Sequence, residues 1–377
     1  MRALVALALC LVATPAAGDK LPEPAPKLVV GAFLTLTGSE ASFGISTLQG
    51  IELAVAERNA RRGINERPIE LVTLDTAGNA AEAAPVVTRL VQDKHAIAVL
   101  GDVMSSISIA GARTAQQLGV PMITPSSTSA RVTASGDLVS RVCMIDAAQG
   151  AVMATHAREL GVKSAAVLVD ANAAYSKELA KSFSDAFVAL GGKIAVEQSY
   201  ETSATSFTTQ LEAVKAARAD AIVIPGYFNQ VAAIAKEARA LKLKTRLLWF
   251  DGWDSAELAK LAGPAIDGGR YVNHYAPGAP GAANAAFVRA YKKKYKRAPD
   301  GLAALGYDAA RVLFDAIARA PSTSGTDIGA AIRATRKFAG VTGTITIGSD
   351  GNPVKKPGVI LELKRGKPVF AASVAPK

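Results

Sequence analysis

The sequence predicts an α/β protein made of two similar, doubly wound parallel-sheet lobes, on three observations. Short continuous apolar runs such as LVVGAFL from Leu28, IELVTLD over Ile69–Asp75 and SAAVLVD over Ser164–Asp170 alternate with amphipathic stretches of helical period. Strands buried on both faces have no polar side to show, so this alternation marks a parallel sheet covered by helices on two sides. The pattern then restarts near Gly150, and Gly191–Gly226 repeats the plan of Gly63–Gly101: strand, acidic or Thr-rich loop, helix, apolar strand, glycine. Two lobes on one plan imply an old duplication and a cleft between them.

In the first half, the strand from Leu28 enters a turn with Thr37, Gly38, Ser42 and Gly44. A helix from about Ser46 to Arg61 follows, with Leu48, Ile51, Leu53 and Val55 on its apolar side and Gly63 stopping it. Then come strand Ile69–Asp75, helix Ala80–Gln92, strand Ala96–Leu100, a helix to Leu118 and strand Pro121–Thr124. The second half reads as helix Gly150–Leu160, strand Ser164–Asp170, helix Lys177–Leu190, strand Ile194–Tyr200, helix Phe207–Ala217, strand Ala221–Pro225, helix Gln230–Leu241 and strand Leu247–Asp251. From about Tyr275 the chain is expected to return to the first lobe with helices Ala285–Tyr295, Leu302–Arg319 and Ile328–Thr335 and strand Gly343–Ile347. A tight turn at Asp350-Gly351-Asn352-Pro353 precedes a closing strand, Gly358–Leu363, that crosses to the second lobe. Lobe 1 is thus expected to hold residues 27–146 plus 275–355, and lobe 2 residues 147–274 plus 356–377.

Residues 1–18 are expected to lie outside the fold. Arg2, an apolar core from Ala3 to Ala13 and the small residues to Gly18 form a signal segment too short to span a bilayer, so export is expected. Leu9 stands before Cys10 where a lipidation signal carries a small residue, so a lipid anchor is not expected. Cys143 is then the only cysteine, and the fold holds by its core without an internal disulfide. The balance of 43 basic to 32 acidic residues gives +11. The basic residues are scattered, and the densest runs, Lys292–Arg297 and Arg239–Arg246, read as solvated helix faces, so no nucleic-acid partner is expected.

Chemistry concentrates at two turns. Ser105 and Ser106 open a helix after the strand ending at Leu100, and Ser126, Ser127 and Thr128 follow the strand ending at Thr124. Ligands of open α/β sheets bind beyond the carboxyl ends of the strands, and free N–H groups at a helix start suit a small anion, so the two turns read as a carboxylate cradle. Asp251, in FDGW at another strand end, reads either as an acid for a cationic group or as a helix N-cap before Ser255, where Asp254 is the better placed cap. A zwitterionic amino acid needs such a pair: neutral donors at one end and one carboxylate at the other.

The chain resembles the leucine/isoleucine/valine-binding protein family, periplasmic solute-binding components of ABC importers. The residues carrying the resemblance include Gly31 with Leu36-Thr37-Gly38, Gly50 to Ala54, Asn59, Gly63-Ile64, Asp75, Gly101 with Ser105, Gly119-Val120-Pro121, Ile123 to Thr128, Asp170 with Tyr175, Gly226-Tyr227, Gly306 to Ala309, and Gly343 with Asp350-Gly351. The resemblance implies a type I periplasmic binding protein, with a three-strand hinge and closure on the ligand. It implies that Ser105, with Ser106 beside it, holds the ligand carboxylate, and that Ser126 and Thr128 complete that site. Asp251 then meets the ammonium, Tyr175 and Tyr227 are aromatics from the second lobe, and Phe43 occupies a position often given to Tyr. The family's paired cysteines are missing here, and Met104 and Ile107 make the serine wall more apolar.

The partners implied are a small-molecule ligand and membrane permease subunits, for a monomeric protein in the periplasm. A sensor, or a binder of amides, urea or aromatic acids, is the alternative on the same fold. An exported enzyme is disfavoured: HExxH, CxxC, GxSxG, GxGxxG and the Walker loop are all absent, and neither a cofactor nor a metal is expected. Trp253 is expected nearer the cleft than Trp249, Glu40 as a solvated loop acid, His274 in a structural role near the hinge, and His95 and His156 on helix surfaces.

Overall fold

The structure, a computed structural model, describes residues 26–375; the expected signal segment and Cys10 lie outside the described residues. Lobe 1 begins β1 (Leu28–Leu34), α1 (Ala41–Asn59), β2 (Ile69–Asp75), α2 (Ala80–Gln92), β3 (Ala98–Leu100), α3 (Ser105–Gln117), β4 (Met122–Thr124), α4 (Ala130–Thr133) and β5 (Val139–Arg141). Lobe 2 follows with α5 (Asp146–Glu159), β6 (Ser164–Asp170), α6 (Ala174–Ala189), β7 (Lys193–Tyr200), α7 (Thr208–Ala217), β8 (Ala221–Val223), α8 (Phe228–Ala240), β9 (Arg246–Trp249), α9 (Ala256–Ala262) and β10 (Arg270–Asn273). The chain returns through α10 (Ala282–Tyr295), α11 (Gly301–Arg319), α12 (Gly325–Arg333) and the hairpin β11 (Phe338–Gly340)–β12 (Gly343–Ile345), then ends in β13 (Gly358–Lys364) and β14 (Lys367–Val374).

The two sheets repeat one topology. Lobe 1 has the order β2-β1-β3-β4-β5, and lobe 2 contains β7-β6-β8-β9-β10 with β13 and β14 added antiparallel at the β10 edge. The segments whose sequences echo each other, β2-α2-β3 and β7-α7-β8, occupy equivalent places. In each sheet the strand order reverses beside the first strand, and the carboxyl ends there form the crevice where ligands settle.

Besides α4 and β14, which the sequence reading does not anticipate, four details differ from expectation. Helix α1 starts at Ala41, five residues before Ser46, since Gly44 serves close packing: a Cβ there would lie 1.9 Å from the Thr35 carbonyl oxygen. Helix α5 starts at Asp146, four residues before Gly150. Strands β5 and β10 are too short for a periodic signal, and each has an arginine at one end, Arg141 buried and Arg270 half-buried. The expected strand Gly343–Ile347 joins neither main sheet but pairs with β11 in a separate hairpin.

Three passages join the lobes, and side chains tie them together. The Met144 N–H on the first donates to His274 Nδ1 on the second at 3.3 Å. On the third, Lys356 donates to the Val142 carbonyl at 2.8 Å and to Thr342 Oγ1 at 2.7 Å. Burial brings the Lys356 amine down to about 8, and two short hydrogen bonds hold it in place. No described helix is long and apolar enough to cross a membrane.

Candidate functional site

The hydroxyl turns of lobe 1 are joined and braced from below. Ser105 opens α3, where the first N–H groups have no partner within the helix, and its hydroxyl accepts from the Ser129 N–H at 3.3 Å. Ser106 is half-buried beside it. Arg141, fully buried in β5, donates from Nη1 to the Ser127 carbonyl at 2.7 Å and from Nη2 to the Ser129 carbonyl at 2.6 Å. A planar guanidinium fixes two carbonyls at once, so the turn that carries Ser126 and Thr128 cannot flex independently of the sheet. Asp102, after β3, receives the hydroxyls of Thr35 at 2.9 Å and Thr76 at 3.1 Å and the Met104 N–H at 2.8 Å. Burial still pushes its carboxyl up to about 6.

Lobe 2 presents an acid framed by aromatics. Asp251 follows β9, and its Oδ1 accepts from the Tyr175 hydroxyl at 2.8 Å while His274 Nε2 lies 2.9 Å from its Oδ2. The Tyr175 oxygen also accepts from the Gly252 N–H at 3.0 Å, which locks the phenol in place. Tyr175 and Tyr227 stack with ring centres 5.1 Å apart and planes 10° from parallel. Phe43, from lobe 1, meets Tyr227 and Phe228 edge-on at 5.9 and 5.0 Å.

The two faces meet, so the lobes stand closed. Ser129 donates to Glu178 at 2.6 Å, Asn229 to Glu40 Oε1 at 3.1 Å, and Ser42 and Ser255 share a hydrogen bond at 3.0 Å, each across the lobes. Beneath the hydroxyl turn, at the start of α5, lie Asp146 and Gln149, both buried. The hydroxyls of Ser126 and Thr128, both Asp146 oxygens and the Gln149 amide make no hydrogen bond to any described residue. Such a concentration of orphaned polar atoms marks a place built for polar contacts. Burial pushes the Asp146 carboxyl well above the usual range.

The structure brings Ser105, Ser126, Thr128, Tyr175, Tyr227, Asp251 and Phe43 to the facing carboxyl ends of the two sheets. Ser127 departs from expectation: its hydroxyl is turned into lobe 1, donating to the Asp102 and Val103 carbonyls at 2.9 and 2.8 Å, because the β4 turn needs a donor there. Glu40 is buried at the lobe contact, not solvated. Trp253 is 1% exposed and packs beside Trp249 and Tyr271 in the lobe 2 core. His156 is buried against Arg270, and His95 sits in a turn after α2 with φ of 57°. Sequence reading passed over Arg141, Asp146 and Gln149; the available signals were an arginine inside VSRVC and a polar pair three residues apart at a helix start.

A family model described as periplasmic binding protein matches residues 27–368. Leu/Ile/Val-binding protein homolog 2 of Brucella abortus (strain 2308) is 28% identical over 346 residues, covering 90% of this chain and 91% of its own length. The crystal structure of the leucine binding protein LivK from Thermotoga maritima superposes with a TM-score of 0.88 at 37% identity, covering 93% of this chain and 99% of that one. A solute binding protein of an ABC transporter from R. palustris, in complex with benzoate, superposes at 0.84 with 26% identity, covering 93% of this chain and 97% of its own. These relatives are binding proteins rather than enzymes. The chain belongs to the periplasmic binding protein family and, within it, to the leucine/isoleucine/valine-binding group.

Proposed function

We propose that this protein is the extracytoplasmic solute-binding component of an ABC importer and closes around a small amino acid of the branched-chain type. The observation that carries this reading is Asp251, whose two oxygens are oriented by Tyr175 and His274 while lobe 1 offers the hydroxyls of Ser126 and Thr128 and the α3 start. An acid on one jaw and neutral donors on the other match the two ends of a zwitterion. Hydrogen bonds to charged groups contribute about 1.5 to 3 kcal/mol each. Roughly four to six of them, less ordering and desolvation, suffice for micromolar binding, about 8 kcal/mol. The lobes are taken as residues 27–146 plus 275–355 and 147–274 plus 356–377, and the closed monomer is what permease subunits in the membrane would engage.

A second reading, an aromatic carboxylate, draws on Phe43, Tyr175, Tyr227 and Phe228 around the acid and on the benzoate-bound relative. It leaves Asp251 without a cationic partner. Calorimetric titration with L-leucine, L-isoleucine, L-valine and benzoate separates the two. Heat from an aliphatic amino acid supports the proposal; heat from benzoate with none from the amino acids sinks it.

A further inference from the structure

Beyond the ligand site, two carboxyls from different lobes stand at the start of one helix. Asp254, in the loop after β9, accepts the Gly301 N–H at the start of α11 at 2.5 Å, joining lobe 2 to lobe 1. Asp300, which caps α11 through the Ala303 N–H at 2.9 Å, brings a second carboxyl to the same place. The two are unequal. Asp300 is half-buried and receives the Ser46 hydroxyl at 2.5 Å and the Arg297 guanidinium at 3.2 Å. Asp254 is 7% exposed and forms no ion pair among the described residues.

We propose that Asp254 and Asp300 form a proton-dependent clasp between the lobes, so that closing takes up a proton that opening releases. Two carboxylates brought together repel, and protonating the more buried one removes the repulsion. The other groups facing Asp254 do not supply the missing charge. Tyr271 and Asn273 on β10 are neutral, Asp251 in the same loop adds negative charge, and Tyr275 donates its hydroxyl to Asn284. Lys260 on α9 is paired with Glu257, and Arg297 with Asp300. Asp254, Asp300 and Lys367 line one cavity of about 470 Å³ that runs between the lobes, giving protons a path to the pair, and Lys367 makes no ion pair with either acid among the described residues.

The electrostatics agree in direction. Burial first, then Asp300, push the Asp254 carboxyl up to about 7 in the closed form. Opening separates Asp254 from Gly301 and Asp300 and returns it toward the ordinary carboxylate value of about 3.9. The closed state therefore binds more protons than the open state between those values, and closure weakens as pH rises through 7.

The inference rests on a hinged two-lobed receptor, not on which solute it carries. The experiment measures affinity for L-leucine by calorimetry at pH 6 and 8, and small-angle scattering of the ligand-free protein at both, for the unaltered chain, Asp254→Asn and Asp300→Asn. We expect affinity about tenfold tighter at pH 6 than at pH 8, from one proton taken up near pH 7. The ratio falls to about one in Asp254→Asn and shrinks in Asp300→Asn, and scattering shows a more compact unaltered protein at pH 6. An equal affinity at both pH values, or an unchanged ratio in Asp254→Asn, overturns the clasp. If leucine does not bind at all, the ligand reading fails separately, and scattering decides the clasp: superimposable profiles at the two pH values overturn it.

Discussion

His274 Nε2 lies 2.9 Å from Asp251 Oδ2, and the other ring nitrogen accepts the Met144 N–H at 3.3 Å. Because Nδ1 is an acceptor, the proton sits on Nε2 and is donated to the acid. One side chain thus connects the acid of the site to the first hinge passage. Movement at the hinge and orientation of Asp251 are mechanically coupled.

Replacing His274 with Ala removes both hydrogen bonds and leaves a buried N–H unpartnered. Stability is expected to fall by about 1 to 3 kcal/mol, read from urea unfolding, and ligand affinity should fall with it. A urea midpoint indistinguishable from that of the unaltered chain contradicts the coupling.

Asp251→Ala should weaken amino-acid binding by about 2 to 5 kcal/mol, the cost of leaving a buried charge on the ligand unpaired. Calorimetry reads the effect directly. An unchanged dissociation constant rejects the assignment of Asp251 to the ammonium.

Arg141→Met replaces the buried fork that holds the Ser127 and Ser129 carbonyls with a side chain of similar length and no donor. Two hydrogen bonds from a charged group are lost, while the Ser129 carbonyl keeps the Val132 N–H and the Ser127 carbonyl keeps the Cys143 thiol, so a loss of about 2 to 4 kcal/mol is expected. Ligand affinity should also drop, since the turn carrying Ser126 and Thr128 is freed. Thermal unfolding with and without ligand tests both parts.

Gly50 lies where α1 crosses α11, and an added Cβ would stand 2.0 Å from the Ala303 carbonyl oxygen and 2.8 Å from the Tyr307 nitrogen. Backbone cannot yield as a flexible side chain does. Gly50→Ala is therefore expected to destabilise by about 2 kcal/mol or more despite alanine's better helix propensity. An equal or raised unfolding midpoint counts against the close crossing.

Asp102 gives a pH signature. Its folded value, raised by burial to about 6, exceeds its unfolded value of 3.8, so the folded state holds the proton more tightly. The contribution to stability is fully present below about pH 3.8 and is lost as pH rises through 6, roughly two units at 1.36 kcal/mol each, or about 3 kcal/mol. Measured as a difference from Asp102→Asn, the unaltered chain should lose relative stability between pH 4 and 7. A difference that does not change with pH excludes the assignment.

Ser127 shows where sequence reading stops at this site. Three adjacent hydroxyls after β4 look alike in sequence, yet those of Ser126 and Thr128 bond to no described residue while that of Ser127 turns back to two carbonyls of the β3 turn. Which way each points depends on a neighbouring strand that only the fold supplies. Arg141 was missed for the opposite reason: a charged residue in a buried strand has meaning only once its two carbonyl partners are in place.

The sequence by itself determined the strands and helices, the two lobes of one plan, and the strand ends that carry hydroxyls and an acid. These follow from local periodicity and from turn chemistry, which act over a few residues. Only the tertiary structure decided that His274 orients Asp251, that Asp254 joins Asp300 at the start of α11, and that Asp146 and Gln149 lie beneath the hydroxyl turn. Partners 23, 46 or 130 residues apart are brought together by the path of the chain through the hinge, and no local pattern records that path.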